Sequence, residues 1–127
     1  MPEPEKTPPT DHRAALGAYG ERVAVRALTD AGLQVLDRNW RCREGELDVV
    51  ARDGDALVFC EVKTRSGTGF GHPVEAVTAV KRRRLRLLAR VWLAAHDQHA
   101  PDLRFDVVGV HVPQSGPAQV THLRNAF

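Results

Sequence analysis

An acidic residue, a tight turn and a Glu-x-Lys triplet follow one another in the middle of the chain. Asp48 lies in a strand-like segment, and Glu61-Val62-Lys63 ends the next one. Between them, Arg52-Asp53-Gly54-Asp55 contains an Asp-Gly pair that favours a β-hairpin. Because side chains on a strand alternate between faces, Asp48, Glu61 and Lys63 are predicted to share one face of the hairpin. Carboxylates and a lysine in this arrangement suit binding of a divalent cation and activation of water beside a phosphate.

Counting residues from the turn gives the expected register of the hairpin. A turn centred on Asp53-Gly54 places Val50 opposite Leu57, Asp48 opposite Phe59 and Glu46 opposite Glu61. Carboxylates that face one another destabilise a sheet, and a divalent cation would remove that repulsion. The alternative is a surface patch without a metal, in which Lys63 forms a salt bridge with Glu61. The other face of the hairpin is uniformly apolar and is predicted to be core: Leu47, Val49, Val58 and Val62.

A helix is predicted over about His12 to Ala31, and Gly32 supplies its C-terminal stop. Glu21 lies at the edge of its apolar stripe beside the small residues Gly17 and Ala24, so it could reach the acidic cluster. The alternative is an exposed glutamate paired with a neighbouring arginine, Arg22 or Arg26. The apolar stripe recurs at the helical period: Leu16, Tyr19, Val23, Ala27 and Ala31.

A second helix is predicted from Pro73 to about His96. Its apolar arc consists of Val77, Val80, Leu87, Leu88, Val91 and Ala95. Lys81 and Arg84 fall within that arc, and a long basic side chain there can reach a site at the core margin, so Lys81 is a candidate supporting residue. Four arginines share the opposite arc and form a candidate phosphate-contacting surface, although an ordinary solvated face explains them equally well. These are Arg82, Arg83, Arg86 and Arg90, to which Arg65 on the hairpin is added as a nucleic-acid-binding candidate.

The remaining segments predict one mixed sheet. Further strands are expected at Leu33–Leu36, Leu103–Val110 and Val120–Leu123, whereas Asn39–Arg43 is expected to be irregular and Pro113–Pro117 a turn. The element order of helix, three strands, helix and one or two strands is typical of an α/β domain with helices packed on a mixed sheet. The Gly-rich segment Ser66–Gly71 is predicted to be a mobile loop that closes over a bound strand. It lacks the ending of a P-loop, which argues against nucleotide binding.

Length and composition are those of one globular domain. The chain has 127 residues, of which 43% are hydrophobic and 27% charged. We expect a single domain over residues 11–127, preceded by a disordered tail, Met1–Thr10. No apolar run suits a membrane span or a secretory signal, so a cytoplasmic location is expected. The net charge of +2 is too small to indicate a nucleic-acid partner by itself.

Both cysteines are expected to be ordinary buried or half-buried thiols. Cys42 and Cys60 are too few for a disulfide framework in a chain of this length, and neither has a second ligand at zinc spacing.

With these residues in place, the sequence resembles known patterns. Asp48, the hairpin and Glu61-Val62-Lys63 resemble the Asp…(Asp/Glu)-x-Lys signature of the restriction-endonuclease-like superfamily, and nearly the whole chain from Gly17 to Phe127 resembles the YraN family of bacterial proteins. Cys60 stands where an aliphatic residue is more usual. The matching segments are Gly20-Glu21, Arg38-Asn39, Gly45 to Asp48, Val58 to Arg65, Phe70 to Pro73, Lys81, and Arg104 to Val108.

The resemblance implies a restriction-endonuclease-like α/β fold, nucleic-acid binding and kinship with archaeal Holliday-junction resolvases. It implies Glu21 as the helix-borne acid, Asp48 and Glu61 as metal ligands and Lys63 as the catalytic lysine. The leading hypothesis is therefore a metal-dependent DNA endonuclease that uses Mg²⁺ or Mn²⁺, with the Val62 carbonyl as a further ligand and Glu46 in support. Its substrates would include branched, repair or recombination DNA.

Two other hypotheses remain open at this point. The first is a non-catalytic nucleic-acid-binding module, in which the carboxylates still require a cation to screen them from phosphate. The second is a protein-interaction domain whose arginine helix meets an acidic partner. Because a domain of this size has one active site, paired cuts would require a homodimer.

Overall fold

The computed structural model describes residues 12–67 and 77–127. The predicted tail, Asp11, most of the predicted loop and Pro73 lie outside these residues. In chain order the elements are α1 (His12–Asp30), β1 (Gln34–Cys42), β2 (Gly45–Asp53), β3 (Ala56–Ser66), α2 (Ala79–Ala95), β4 (Asp102–Val112) and β5 (Gln119–Leu123). The prediction of an α/β domain with a mixed central sheet flanked by helices is confirmed. Neither helix in this part of the chain is long and apolar enough to cross a membrane.

The strands form one five-stranded sheet in the order β1-β2-β3-β4-β5. The first three strands are antiparallel, β3 and β4 are parallel, and β5 returns antiparallel to β4. Parallel neighbours need a long crossover, which α2 provides. The β3–β4 pairing runs without interruption from Ala56 opposite Asp102 to Ser66 opposite Val112.

Each face of the sheet carries its own hydrophobic core. The core on the α2 side comprises Leu47, Val50, Leu57, Phe59 and Val107 from the sheet and Leu85, Leu88 and Trp92 from α2, among others. The core on the α1 side comprises Val49, Ala51, Val58, Cys60, Val108 and Val110 from the sheet and Ala24 and Leu28 from α1, among others. The cysteines are as predicted, since Cys60 is buried in the α1 core, where burial raises its thiol pKa, and Cys42 is half-buried. Both faces of the sheet are therefore closed, and chemistry is confined to its margins.

The hairpin between β2 and β3 turns one residue later than predicted. Gly54 and Asp55 form the loop, Gly54 has a φ of 59°, and Asp53 lies opposite Ala56. Val50 is consequently opposite Phe59, not Leu57, so the predicted register was wrong by two residues. A shift of two keeps Val50, Leu57 and Phe59 on one face, as predicted, because the side-chain period of a strand is also two.

β1 is longer than predicted and changes the face that β2 presents. The segment Asn39–Arg43, expected to be irregular, belongs to β1 as far as Cys42, although Asn39 has a φ of 51°. Trp40 and its partner Leu47 both pack in the α2 core, whereas Val49 packs in the α1 core. The prediction that Leu47 and Val49 share a face was therefore wrong. Asp48 lies between them, at the point where β2 switches face.

α1 contacts the sheet mainly through residues other than the predicted stripe, of which Val23 packs against the core on this side. Its buried residues are Gly20, Ala24 and Leu28, while Tyr19 remains 39% exposed. A Cβ on Gly20 would lie 1.9 Å from Thr64 Oγ1, so only glycine permits this approach of α1 to β3. The close approach of Gly20 to the sheet determines the buried face of α1. The spacing of hydrophobic residues in the sequence does not predict this contact.

α2 begins at Ala79, not at Pro73. Thr78 is in an extended conformation and caps the helix, its hydroxyl accepting a hydrogen bond from the Lys81 amide at 3.3 Å. Three residues of the predicted apolar arc are exposed: Val80 at 56%, Leu87 at 45%, and Ala95. The face that is buried consists of Leu85, Leu88, Ala89 and Trp92.

Candidate active site

Three carboxylates converge at the margin of the sheet. One ligand oxygen each from Glu21 on α1 and from Glu46 and Asp48 on β2 lie within 4.8 Å of one another, and all three residues are half-buried. Glu21 reaches this point because its neighbour Gly20 lets α1 lie against Thr64. Glu46, predicted only to support the site, is a full member of this group, which we call the acidic cluster.

Asp48 is the most perturbed member of the acidic cluster. Its Oδ2 accepts a hydrogen bond from the Val62 amide at 2.9 Å. Burial is the largest effect on its pKa and the negative charge of Glu61 the next, and together they raise the pKa of Asp48 from 3.8 to about 7, against the lowering effect of that hydrogen bond. Negative charge is therefore concentrated around Asp48, although Arg41 pairs with Glu46 on the exposed side of the acidic cluster.

Glu61 and Lys63 form an ion pair beside the acidic cluster. Lys63 Nζ lies 3.3 Å from Glu61 Oε1, with 25% and 15% of the respective side chains exposed. Glu61 is not in the group of three, although its charge acts on Asp48. Asp48 thus lies with Glu21 and Glu46, whereas the predicted ligand pair joined Asp48 and Glu61. The Glu61–Lys63 ion pair of the metal-free alternative is present, and so is the acidic cluster, which that alternative did not include.

Two lysines from different elements meet at this ion pair. Burial lowers the pKa of Lys63, but its hydrogen bond to Lys81 and the charge of Glu61 outweigh burial and raise the pKa overall. The same hydrogen bond is the main reason that the pKa of Lys81 is lowered. Each lysine therefore changes the pKa of the other at the edge of the ion pair.

A cleft of about 170 Å³ separates the hairpin from α2. Glu46 and Glu61 line it from the strands, and Lys81 and Arg84 line it from the first turns of the helix. Lys81 and Arg84 were conspicuous in the sequence because they interrupt an apolar arc, and both lie at the cleft. The candidate site is thus acidic on its sheet side and basic on its helix side.

The four arginines predicted to share one arc of α2 are not equivalent. The Arg82 guanidinium lies 5.9 Å from the centre of the Phe127 ring and donates from Nε to the Val77 carbonyl at 3.3 Å. Arg86 lies 5.7 Å from the Phe105 ring centre. Arg83 and Arg90 are exposed, and Arg65 lies on β3 two residues beyond Lys63. The predicted stripe is therefore partly held against aromatic rings.

A second charged group lies on β4, and the sequence analysis did not single it out. Asp106 is fully buried and accepts hydrogen bonds from Arg104 at 2.9 and 3.0 Å, from the Asn125 amide at 2.9 Å and from His122 Nε2 at 2.7 Å. Arg104 also donates to Asp53 at 2.8 Å. The available signal was the alternation of Arg104 and Asp106 within an otherwise apolar strand. We call this group the Asp106 network.

Comparison with other proteins places the chain in a family. The sequence model described as "Uncharacterised protein family UPF0102" matches residues 20–110. A UPF0102 protein of Beutenbergia cavernae is 63% identical over 110 residues, which cover 87% of this chain and 93% of the relative. A UPF0102 protein of Streptomyces griseus is 58% identical over 113 residues, covering 88% and 95%.

Among solved structures, the chain is similar to Pyrococcus furiosus SfsA, determined in complex with Ca²⁺. The identity is 16% and the TM-score 0.37, and the alignment covers 90% of this chain but only 64% of that one. The sequence relatives are decisive, and with the match over residues 20–110 they show that the chain belongs to the UPF0102 family, the YraN family that its motifs resemble.

Proposed function

We propose that this protein is a metal-dependent nuclease that hydrolyses phosphodiester bonds in DNA. The observation that carries the proposal is the acidic cluster, in which Glu21, Glu46 and Asp48 converge from two elements next to the Glu61–Lys63 ion pair. A simple surface salt bridge requires no such convergence. Like charges brought together in a half-buried position are costly unless a ligand uses them.

The residues of the acidic cluster fit a hard divalent cation. They offer carboxylate oxygens only, which Mg²⁺ and Mn²⁺ prefer, and the raised pKa of Asp48 marks negative charge that such an ion would neutralise. Glu21, Glu46 and Asp48 would hold the ion, with Glu61 and the Val62 carbonyl as the further ligands expected from the sequence. When bound, the ion supplies an activated water and stabilises charge on the phosphate.

Lys63 acts on the phosphate as a cation. Its raised pKa keeps it protonated, so it stabilises the negative charge that develops during hydrolysis and orients water, and it does not serve as a base. Glu61 fixes its position through the 3.3 Å ion pair. Lys81 and Arg84 hold the DNA backbone on the opposite wall of the cleft, with Arg83 and Arg90 as exposed contacts further along α2.

The proposed substrates follow from the resemblance to Holliday-junction resolvases and include branched DNA of repair or recombination. Cuts in both strands of such DNA would require a homodimer, because the acidic cluster provides one site per chain. A DNA substrate would place the protein in the cytoplasm.

The proposal is tested by cleavage of labelled linear duplex, single-stranded and four-way-junction DNA in Mg²⁺, Mn²⁺ or EDTA. We expect cleavage that depends on the metal and that Lys63→Ala abolishes while the circular dichroism spectrum is unchanged. Arg26→Ala is the matched control, since Arg26 is an exposed cation that pairs with Asp30 at 3.7 Å and lies outside the site.

Full cleavage by Lys63→Ala would refute the proposed mechanism. The absence of cleavage in every divalent metal, together with salt-dependent DNA binding, would instead identify a non-catalytic nucleic-acid-binding module.

A further inference from the structure

A second and larger cavity lies between the N-terminal half of α1 and the C-terminal end of β3. Its volume is about 570 Å³. Arg13 and Gly17 line it from α1, and Lys63, Thr64, Arg65 and Ser66 line it from β3. Lys63 thus borders this cavity as well as pairing with Glu61 beside the acidic cluster.

The chemistry of this cavity differs from that of the cleft beside α2. The cleft has Glu46 and Glu61 in its wall. Among the residues that the structure describes, those lining the larger cavity include three cations and two hydroxyl groups and no carboxylate. Such a lining attracts an anion and offers donors to its oxygens. A metal ion is disfavoured there for the same reason.

We infer that this cavity binds a phosphate of the same DNA strand, next to the phosphate held at the acidic cluster. The inference rests on the proposed function and adds a path for the strand, which would cross β3 from α2 towards the start of α1. Lys63 and Arg65 are two residues apart on β3, a rise of about 6.6 Å, so they contact different phosphates along this path.

Gly17 offers a way to block the cavity without touching the fold. A Cβ on Gly17 would meet no atom within 4 Å, in contrast to Gly20 one turn later. A longer side chain at position 17 therefore enters the cavity and leaves the packing of α1 on the sheet unchanged. Glutamate would place a negative charge where phosphate is expected, and glutamine would place a neutral side chain of the same shape there.

The experiment measures the affinity of the full chain for a labelled single-stranded oligonucleotide and its duplex by fluorescence anisotropy, in EDTA and in Ca²⁺, over a series of salt concentrations. We expect Gly17→Glu to weaken binding roughly tenfold and Gly17→Gln to weaken it less. Arg65→Ala should lower the slope of log K against log salt by about 1. Thermal unfolding confirms that each variant is folded.

The outcomes separate this inference from the proposed function. Metal-dependent cleavage by the wild type, combined with equal binding by Gly17→Glu and Gly17→Gln, overturns the second phosphate position and leaves the nuclease proposal standing. Binding that Gly17→Glu selectively weakens, without cleavage in any metal, supports the phosphate position and overturns catalysis. Binding of an acidic peptide but not of DNA, sensitive to Gly17→Glu, would identify a protein partner and overturn the inference.

Discussion

The acidic cluster and the Asp106 network both contain aspartates of the same sheet that are at least half-buried, but the two aspartates have different neighbours. Asp106 is fully buried, and burial raises its pKa, but hydrogen bonds from Arg104, the Asn125 amide and His122 lower the pKa below its ordinary value. Asp48 is less buried, yet its pKa rises to about 7 because its charged neighbours are glutamates. The charge of the neighbours, and not the depth of burial, separates the carboxylate whose pKa is lowered from the one whose pKa is raised.

The largest effect should come from removing the centre of the Asp106 network. Asp106→Ala leaves Arg104 and His122 without their buried partner, and we expect a loss of about 3–5 kcal/mol in the free energy of unfolding, measured in urea. Asp102→Ala, an exposed aspartate on the same strand, is the matched control. In the wild type, the lowered pKa of Asp106 makes its contribution present above the unfolded value of 3.8 and lost as pH falls through the folded value. Equal stability of the two variants would contradict a structural role.

The next effect concerns the contact that brings Glu21 to the acidic cluster. Gly20→Ala forces a Cβ to within 1.9 Å of Thr64 Oγ1, so α1 must move, and we expect a loss of about 1–3 kcal/mol in thermal or urea unfolding. Stabilisation by Mg²⁺ should fall with it, since Glu21 moves away. Gly17→Ala meets open space and should stabilise α1 by up to about 1 kcal/mol. Equal free energies of unfolding for Gly20→Ala and Gly17→Ala would contradict this prediction.

A smaller effect of opposite sign is expected for Asp48. Its folded pKa of about 7 exceeds the unfolded value of 3.8, so its ionisation destabilises the fold increasingly as pH rises through that window. In EDTA at pH 8, Asp48→Asn should therefore increase the free energy of unfolding by about 2 kcal/mol, and the gain should vanish near pH 4. Added Mg²⁺ should stabilise the wild type only. A loss of stability of Asp48→Asn in EDTA would instead show that Asp48 stabilises the fold, as Asp106 does.

The smallest change in stability is expected for Arg124, which lies at the periphery of the Asp106 network. Arg124 lies 3.7 Å from Asp53 but is 53% exposed, so Arg124→Ala should change the free energy of unfolding by less than about 0.5 kcal/mol. Arg104→Ala, which removes an arginine with a side chain only 19% exposed, should cost several times more in the same urea titration. Similar values for the two arginines would mean that burial of the network contributes little.

The sequence predicts the parts of the site that depend on local rules. An Asp-Gly pair predicts the hairpin, alternation predicts the faces of Glu61 and Lys63, and these survive the two-residue error in register because the side-chain period is two. Lys81 interrupts the predicted apolar arc of α2, and in the structure it lines the cleft.

Other parts depend on contacts between distant segments and leave no local pattern. The grouping of Glu46 with Glu21 and Asp48 accompanies a change of face in β2, opposite a residue of β1 with positive φ. The Asp106 network requires His122 from β5, which reaches β4 only when the sheet is complete. α1 buries the face that contains Gly20 because only a residue without a side chain fits against Thr64. A hydrophobic pattern gives glycine no weight and therefore does not predict this face.

β1 forms one edge of the sheet, and its irregularities affect how the protein behaves in concentrated solution. Its pairing with β2 shifts register between Val35 and Asp37, and Asn39 departs from extended geometry four residues after Val35. A flat, regular edge would offer an unbroken row of backbone donors and acceptors to a second molecule. The bulge and the left-handed residue interrupt that row, and exposed Arg38 adds repulsion between molecules. β1 is thereby protected against edge-to-edge aggregation.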